Sequence, residues 1–192
     1  MTPTIDADSR VGSTLLAIAR SSLREATGLS RLSWEKLDCL QRKGACFVTL
    51  RCAGDLRGCI GSVRPYRPLV DDVASNTRSA ALRDPRFSPV KAEELDDIEI
   101  EVSLMSPMER LVVESESALM DALRPGVDGL VMEYGGSRGT FLPAVWREIV
   151  DPRQFVSKLK LKAGLAVDFW SADITLWRYT TTSYRESDSD EA

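Results

Sequence analysis

Apolar residues recur at helical spacing from Ser13 onward. Leu15, Leu16, Ala19, Leu23 and Ala26 share one face, and Gly28 closes the run. The spacing predicts a first helix preceded by a loose arm over residues 1–12. The pattern then changes period. In "CFVTLRC", Cys46, Val48, Leu50 and Cys52 alternate with Phe47, Thr49 and Arg51, which predicts a strand. Ala53-Gly54-Asp55 supplies turn chemistry, and "LRGCIGS" returns as the partner strand. Strict alternation places Arg57, Cys59 and Gly61 on one face, with Leu56, Gly58 and Ile60 on the other. After Pro65 and Pro68, Leu69, Val73, Thr77, Ala80 and Ala81 form the buried stripe of a second helix. Asn76 lies at the edge of that stripe, and "DPRFSPV" ends the helix.

Ile98, Ile100 and Val102 alternate with Glu99, Glu101 and Ser103 in a further strand. The more polar stretch 106–126 reads as a connection between two lobes, carrying the short helix "ALMDAL". "GLVMEY-GG-SRGTFLP" is a hairpin on a two-glycine turn. A helix follows, with Asp151 as N-cap, Pro152 in its first turn and Gly164 at its end. "DITLWRYTT" is the last expected strand, and residues 183–192 are expected to form a disordered acidic tail. Helices mixed with antiparallel hairpins define an α+β fold, with one domain over residues 13–182.

Composition narrows the function classes. The chain has 192 residues and a formal net charge of −4, so it lacks the concentrated basic field that nucleic-acid binding needs. Its opening residues lack the basic and apolar regions of a signal peptide. No apolar run approaches the ~20 residues of a membrane span. Cys39, Cys46, Cys52 and Cys59 cluster without a CxxC spacing, and the expectation is a cytoplasmic protein with reduced thiols. There is no histidine, which excludes Ser-His-Asp and Cys-His catalysis within the chain. No oxygen-ligand loop appears among Asp71, Asp72, Asp84, Glu99 and Glu101, so no metal site is expected.

The spacing leaves two roles open for Cys59. As a nucleophile it would be a thiolate favoured by Arg57, two residues away on the same strand face. Gly58 and Gly61 would then let a ligand approach the backbone. As architecture it would be a small hydrophobe where a larger side chain clashes. Glu99 and Glu101 are open to a similar choice between acid–base work and plain solvation. Lys158, Lys160 and Lys162 read as cations complementing a helix C-terminus.

Taken together, "GACFVTLR…GDLRGCIGSVRPYRPLVDDVASNTRSAALRDPRFSPV", "IEVSLMSP", "PGVDGLVMEYGGSRGTFLPAVW", "FVSKLKLKAGL" and "DFW" resemble, in this order, the AMMECR family. In microbes this family is called system protein A of the AmmeMemoRadiSam set. The resemblance covers roughly residues 14–180, with "LRGCIG" its most distinctive element; Ala144 and Ala166 depart from it. It implies two unequal lobes, antiparallel sheets with flanking helices, and a cleft between the lobes. It also implies a Memo-like protein and a radical SAM enzyme as partners, and it supplies neither a reaction nor a cofactor. The positions it singles out are Cys59 and Glu101 as catalytic, with Arg57, Gly58, Gly61, Asn76, Asp84, Arg86 and Thr140 binding a ligand. Two functions follow: a thiol-dependent enzyme, or a non-catalytic ligand- or protein-binding module in which Cys59 is packing.

Overall fold

The computed structural model of the chain describes residues 9–187. In chain order the first elements are α1 (Ser9–Ala26), β1 (Lys43–Gly44), β2 (Cys46–Cys52), β3 (Asp55–Gly61), β4 (Arg67–Pro68) and α2 (Leu69–Leu82). Then come β5 (Ile98–Met105), β6 (Glu109–Leu111), α3 (Glu116–Ala122), β7 (Gly129–Tyr134) and β8 (Ser137–Phe141). The last are α4 (Pro152–Lys162), β9 (Thr175–Tyr179) and β10 (Thr181–Arg185). The fold is α+β, and the chain divides into two compact units, residues 9–105 with 182–187 and residues 106–181.

The first unit is a four-stranded sheet in the order β10-β5-β2-β3, with α1 and α2 packed against it. The expected alternation sets its core. Val48, Leu50, Ile100 and Val102 are fully buried together with Leu15, Ile18 and Leu23 of α1 and Leu69 and Val73 of α2. Thr49 and Glu101 consequently project to the opposite face of the sheet.

Two expectations about the chain ends are corrected. Helix α1 starts at Ser9, so residues 9–12 of the expected arm are helical, with Val11 and Gly12 buried. The start of the expected tail is strand β10, hydrogen-bonded beside β5. One contact explains both. A Cβ on Gly12 would come within 2.2 Å of the Tyr184 ring, so the first turn of α1 and the last strand pack directly on each other. The Arg20 guanidinium then pairs with Glu186, whose backbone N–H donates to the Ile100 carbonyl at 3.2 Å. Residues 1–8 and 188–192, the remainder of those two expectations, lie outside the described residues.

The β2–β3 hairpin turns at Ala53 and Gly54, with φ of +50° and +87°. Positive φ at both central residues suits the twist of a two-residue hairpin. Its register slips once: Leu50 faces Gly58 but Arg51 faces Leu56, so Arg57 is an extra residue in a bulge. Arg57 and Cys59 therefore do not share a face by simple alternation, contrary to the strict reading of the strand.

The second unit has the sheet order β6-β9-β7-β8, with β7 and β8 forming the expected hairpin on Gly135-Gly136. The stretch expected as a connection supplies its edge strand β6 and helix α3. Phe155 of α4 stacks on Trp146 at 3.9 Å between ring centroids, over Leu130, Met132 and Leu176 of the sheet. Asp151 caps α4 by accepting from the Arg153 N–H at 2.9 Å.

A polar row beside the Cys59 thiol

On the sheet face turned away from the helices, Cys59 of β3 lies opposite Thr49 of β2, and Thr49 lies opposite Glu101 of β5. The Thr49 hydroxyl donates to Cys59 Sγ at 3.4 Å. Glu101 Oε2 accepts from Arg185 Nε at 2.9 Å, while Ser103 Oγ reaches Glu101 Oε1 at 3.3 Å and Ser183 Oγ at 2.8 Å. The result is a row of thiol, hydroxyl, carboxylate and guanidinium across four strands. Cys59 is half-buried, and the Glu101 side chain is 15% exposed. Cys59 and Glu101 sit two strand spacings apart, about 10 Å between backbones, so Thr49 stands between them.

β3 is an edge strand, and the loop after α2 covers it. Asp84 Oδ2 accepts the outward N–H of Cys59 at 2.8 Å. Arg86 grips the same carboxylate with both arms, Nε to Oδ1 at 2.9 Å and Nη2 to Oδ2 at 2.6 Å, and Nη2 also reaches the Cys59 carbonyl at 3.5 Å. The Arg86 guanidinium, aided by the N–H groups of Cys59 and Arg86, holds the Asp84 carboxyl well below the usual carboxylate range against the opposing effect of burial. Asp84 and Arg86 are thus brought to Cys59 as expected, but they hold its backbone.

Arg57 does not serve the thiol. Its Nε donates to Glu94 Oε2 at 2.7 Å, its Nη2 to Glu94 Oε1 at 3.1 Å and its Nη1 to the Ser88 carbonyl at 2.9 Å. That pairing raises the Arg57 pKa and lowers that of Glu94. The glycines flanking Cys59 also have packing reasons. A Cβ on Gly58 would lie 2.3 Å from the Ala80 carbonyl oxygen of α2, and one on Gly61 would lie 2.3 Å from the Phe47 ring. Close approach of the helix and of the ring requires glycine at both positions.

Asn76 belongs to a separate buried network. Its amide donates to Asp72 Oδ2 at 2.9 Å and to the Cys46 carbonyl at 3.0 Å. Asp72, with no exposed surface, also accepts from the Cys46 N–H, the Ser62 hydroxyl and Arg67 Nε. Burial, reinforced by the Asp72 charge, pushes the Cys46 thiol well up. Thr140 lies in the second unit, where its hydroxyl is 3.1 Å from that of Tyr179. Burial raises the Tyr179 phenol to about 12.

Thr49 and Arg185 are the residues of the row that the sequence reading missed. Thr49 was recoverable from its alternation with Phe47. Arg185 had no local signal. Among the described residues, no group of three or more His, Cys, Asp or Glu side chains is arranged to hold a metal ion, and no helix is long and apolar enough to cross a membrane.

A protein of Methanothermobacter thermautotrophicus is 42% identical over 180 residues, covering 91% of this chain and 94% of its own length. The protein MJ0810 of Methanocaldococcus jannaschii is 40% identical over 148 residues, covering 75% and 74%. The crystal structure of the uncharacterized protein PH0010 from Pyrococcus horikoshii superposes with a TM-score of 0.81 at 30% identity, covering 93% of this chain and 92% of that one. The family model described as AMMECR1 matches residues 16–184, a span that takes in the glycine-flanked Cys59 strand, the loop that covers its edge and the whole second unit. The chain belongs to the AMMECR1 family.

Proposed function

We propose that the polar face of the first unit's sheet is a binding face, and that the protein acts as a binding module rather than as a self-sufficient thiol enzyme. The observation that carries this reading is the commitment of Arg57 to Glu94 and Ser88, away from the thiol it was expected to activate. A nucleophilic thiol needs a nearby cation or base; the chain has no histidine, and the cation beside Cys59, Arg86, is gripped by Asp84 through both arms. What the face offers instead is a set of hydroxyls and a half-buried ion pair: Thr49, Ser103, Ser183 and Glu101 with Arg185. Following the family resemblance, the proposed partners are a Memo-like protein and a radical SAM enzyme, in the cytoplasm. The test is calorimetric titration of the full chain with each partner. Glu101→Gln weakens the complex by at least about tenfold, since removing one member of an interfacial charge pair is costly, whereas Cys59→Ser binds as the wild type does. A wild-type chain that binds neither partner, or unchanged binding by Glu101→Gln, overturns the reading.

The Thr49 hydroxyl donating to Cys59 Sγ favours a second reading, because it orients the sulfur on the same row as the Glu101 carboxylate. On it, Cys59 is a nucleophile and Glu101 an acid or base acting across Thr49. Iodoacetamide alkylation followed across pH, each cysteine quantified by peptide mass spectrometry, separates the two. Fast modification of Cys59 alone at neutral pH supports the enzyme; slow modification supports the binding module.

A further inference from the structure

A cavity of about 240 Å³ opens on the helix side of the first unit, apart from the polar face. Leu16 and Ala17 of α1 and Leu32 of the following loop form its apolar wall, while Ser13, Ser33, Arg20 and Glu186 supply polar groups. Such a volume falls below the roughly 300–1,000 Å³ of drug-sized sites, so an occupant is of amino-acid size.

The two charged residues have capacity left over. Arg20 donates Nε to Glu186 Oε1 at 2.8 Å, Nη1 to the Leu95 carbonyl at 3.0 Å, and Nη2 to the Ile98 carbonyl and Glu186 Oε2. A guanidinium has five N–H donors, so among the described residues one on Nη1 is unspent. Glu186 Oε2 also accepts the Ile100 N–H at 2.8 Å, whereas among the described residues Oε1 accepts from Arg20 alone. Both side chains are about a quarter exposed, so the pair is reachable from solvent without being fully hydrated.

We infer that this cavity binds a small aliphatic α-amino acid. The ligand's carboxylate takes the spare Arg20 donor, its ammonium sits against Glu186 Oε1, and its side chain lies on Leu16, Ala17 and Leu32. Opposite charges side by side on the wall select a zwitterion over an ion of either sign, because each half of the ligand meets its complement. The apolar wall selects an aliphatic chain over a polar one. Glu186 immediately follows Arg185, so occupancy bears on the residue that holds Glu101 on the other face of the sheet.

Calorimetric titration of the full chain with L-leucine tests this, with isovalerate and isopentylamine as the carboxylate-only and amine-only controls. The expected result is saturable L-leucine binding at millimolar concentration, with each control weaker by about tenfold or more, as the loss of one charge-assisted hydrogen bond predicts. Ala17→Phe fills the cavity from a half-buried helix position and abolishes binding, with folding checked by its thermal melt. Absence of saturable heat with L-leucine overturns the proposal. So does equal binding of either control, or undiminished binding by a folded Ala17→Phe chain.

Discussion

Removing the Asp84 carboxylate tests whether the loop after α2 holds Cys59 in place. In Asp84→Ala, the Cys59 N–H loses its acceptor, and an unsatisfied part-buried donor costs about 1–3 kcal/mol. The Arg86 pair is lost as well, but its guanidinium is 53% exposed, so solvent screening limits that share to about 0.5–1 kcal/mol. The total is roughly 1.5–4 kcal/mol. Asp84→Asn keeps an oxygen for the Cys59 N–H and loses mainly the charge, so it costs about 1 kcal/mol. Guanidinium unfolding measures the stabilities, and amide hydrogen exchange at Cys59 localises the effect. In Asp84→Ala that amide exchanges at least about tenfold faster, because every 1.4 kcal/mol of lost protection is a factor of ten. Equal destabilisation by Ala and Asn, or unchanged exchange at Cys59, refutes the reasoning.

The depressed pKa values of Asp84 and Glu94 fix a pH dependence. A carboxylate lowered in the folded state contributes its stability above its unfolded pKa of about 4 and loses it as pH falls toward the folded value. The gap in melting temperature between wild type and Asp84→Asn is therefore constant near neutrality and narrows below about pH 4, as scanning calorimetry would show. Gly58→Ala drives a Cβ into the Ala80 carbonyl, where neither side is a flexible side chain, and denaturant unfolding shows a loss of about 1–3 kcal/mol. Lys160, fully buried with its ammonium on Glu116 and the Val167 carbonyl, gives a loss of about 3 kcal/mol as Lys160→Ala; Lys160→Met, which keeps the packing, loses less. Cys46 resists alkylation at neutral pH until the chain is unfolded, as mass spectrometry of the cysteine peptides would report.

The strands and helices that carry the first unit's core were legible because each has a local period. Val48, Leu50, Ile100 and Val102 alternate, and the α2 stripe repeats at helical spacing. What escaped depends on partners far away in sequence. The strand at Thr181–Arg185 forms beside β5, and Gly12 is buried because Tyr184 covers it. Neither segment has a period that announces this. The site was half legible for a related reason. The face shared by Thr49 and Glu101 follows from alternation, but the single bulged residue at Arg57 detaches a cation that alternation had placed beside Cys59.

The edge position of β3 gives the charged and polar groups of the loop after α2 their partners. An exposed edge strand presents free N–H and C=O groups that invite pairing with another chain. Here Asp84 takes the Cys59 N–H, Arg86 reaches the Cys59 carbonyl, and Arg57 ties the strand to Ser88 and Glu94. The backbone of Cys59 is therefore held on both of its polar atoms, while Gly58 seats the strand against α2. The thiol alone is left facing Thr49. The sulfur is thereby fixed at one point of the polar row, beside an Arg86 guanidinium that Asp84 itself holds.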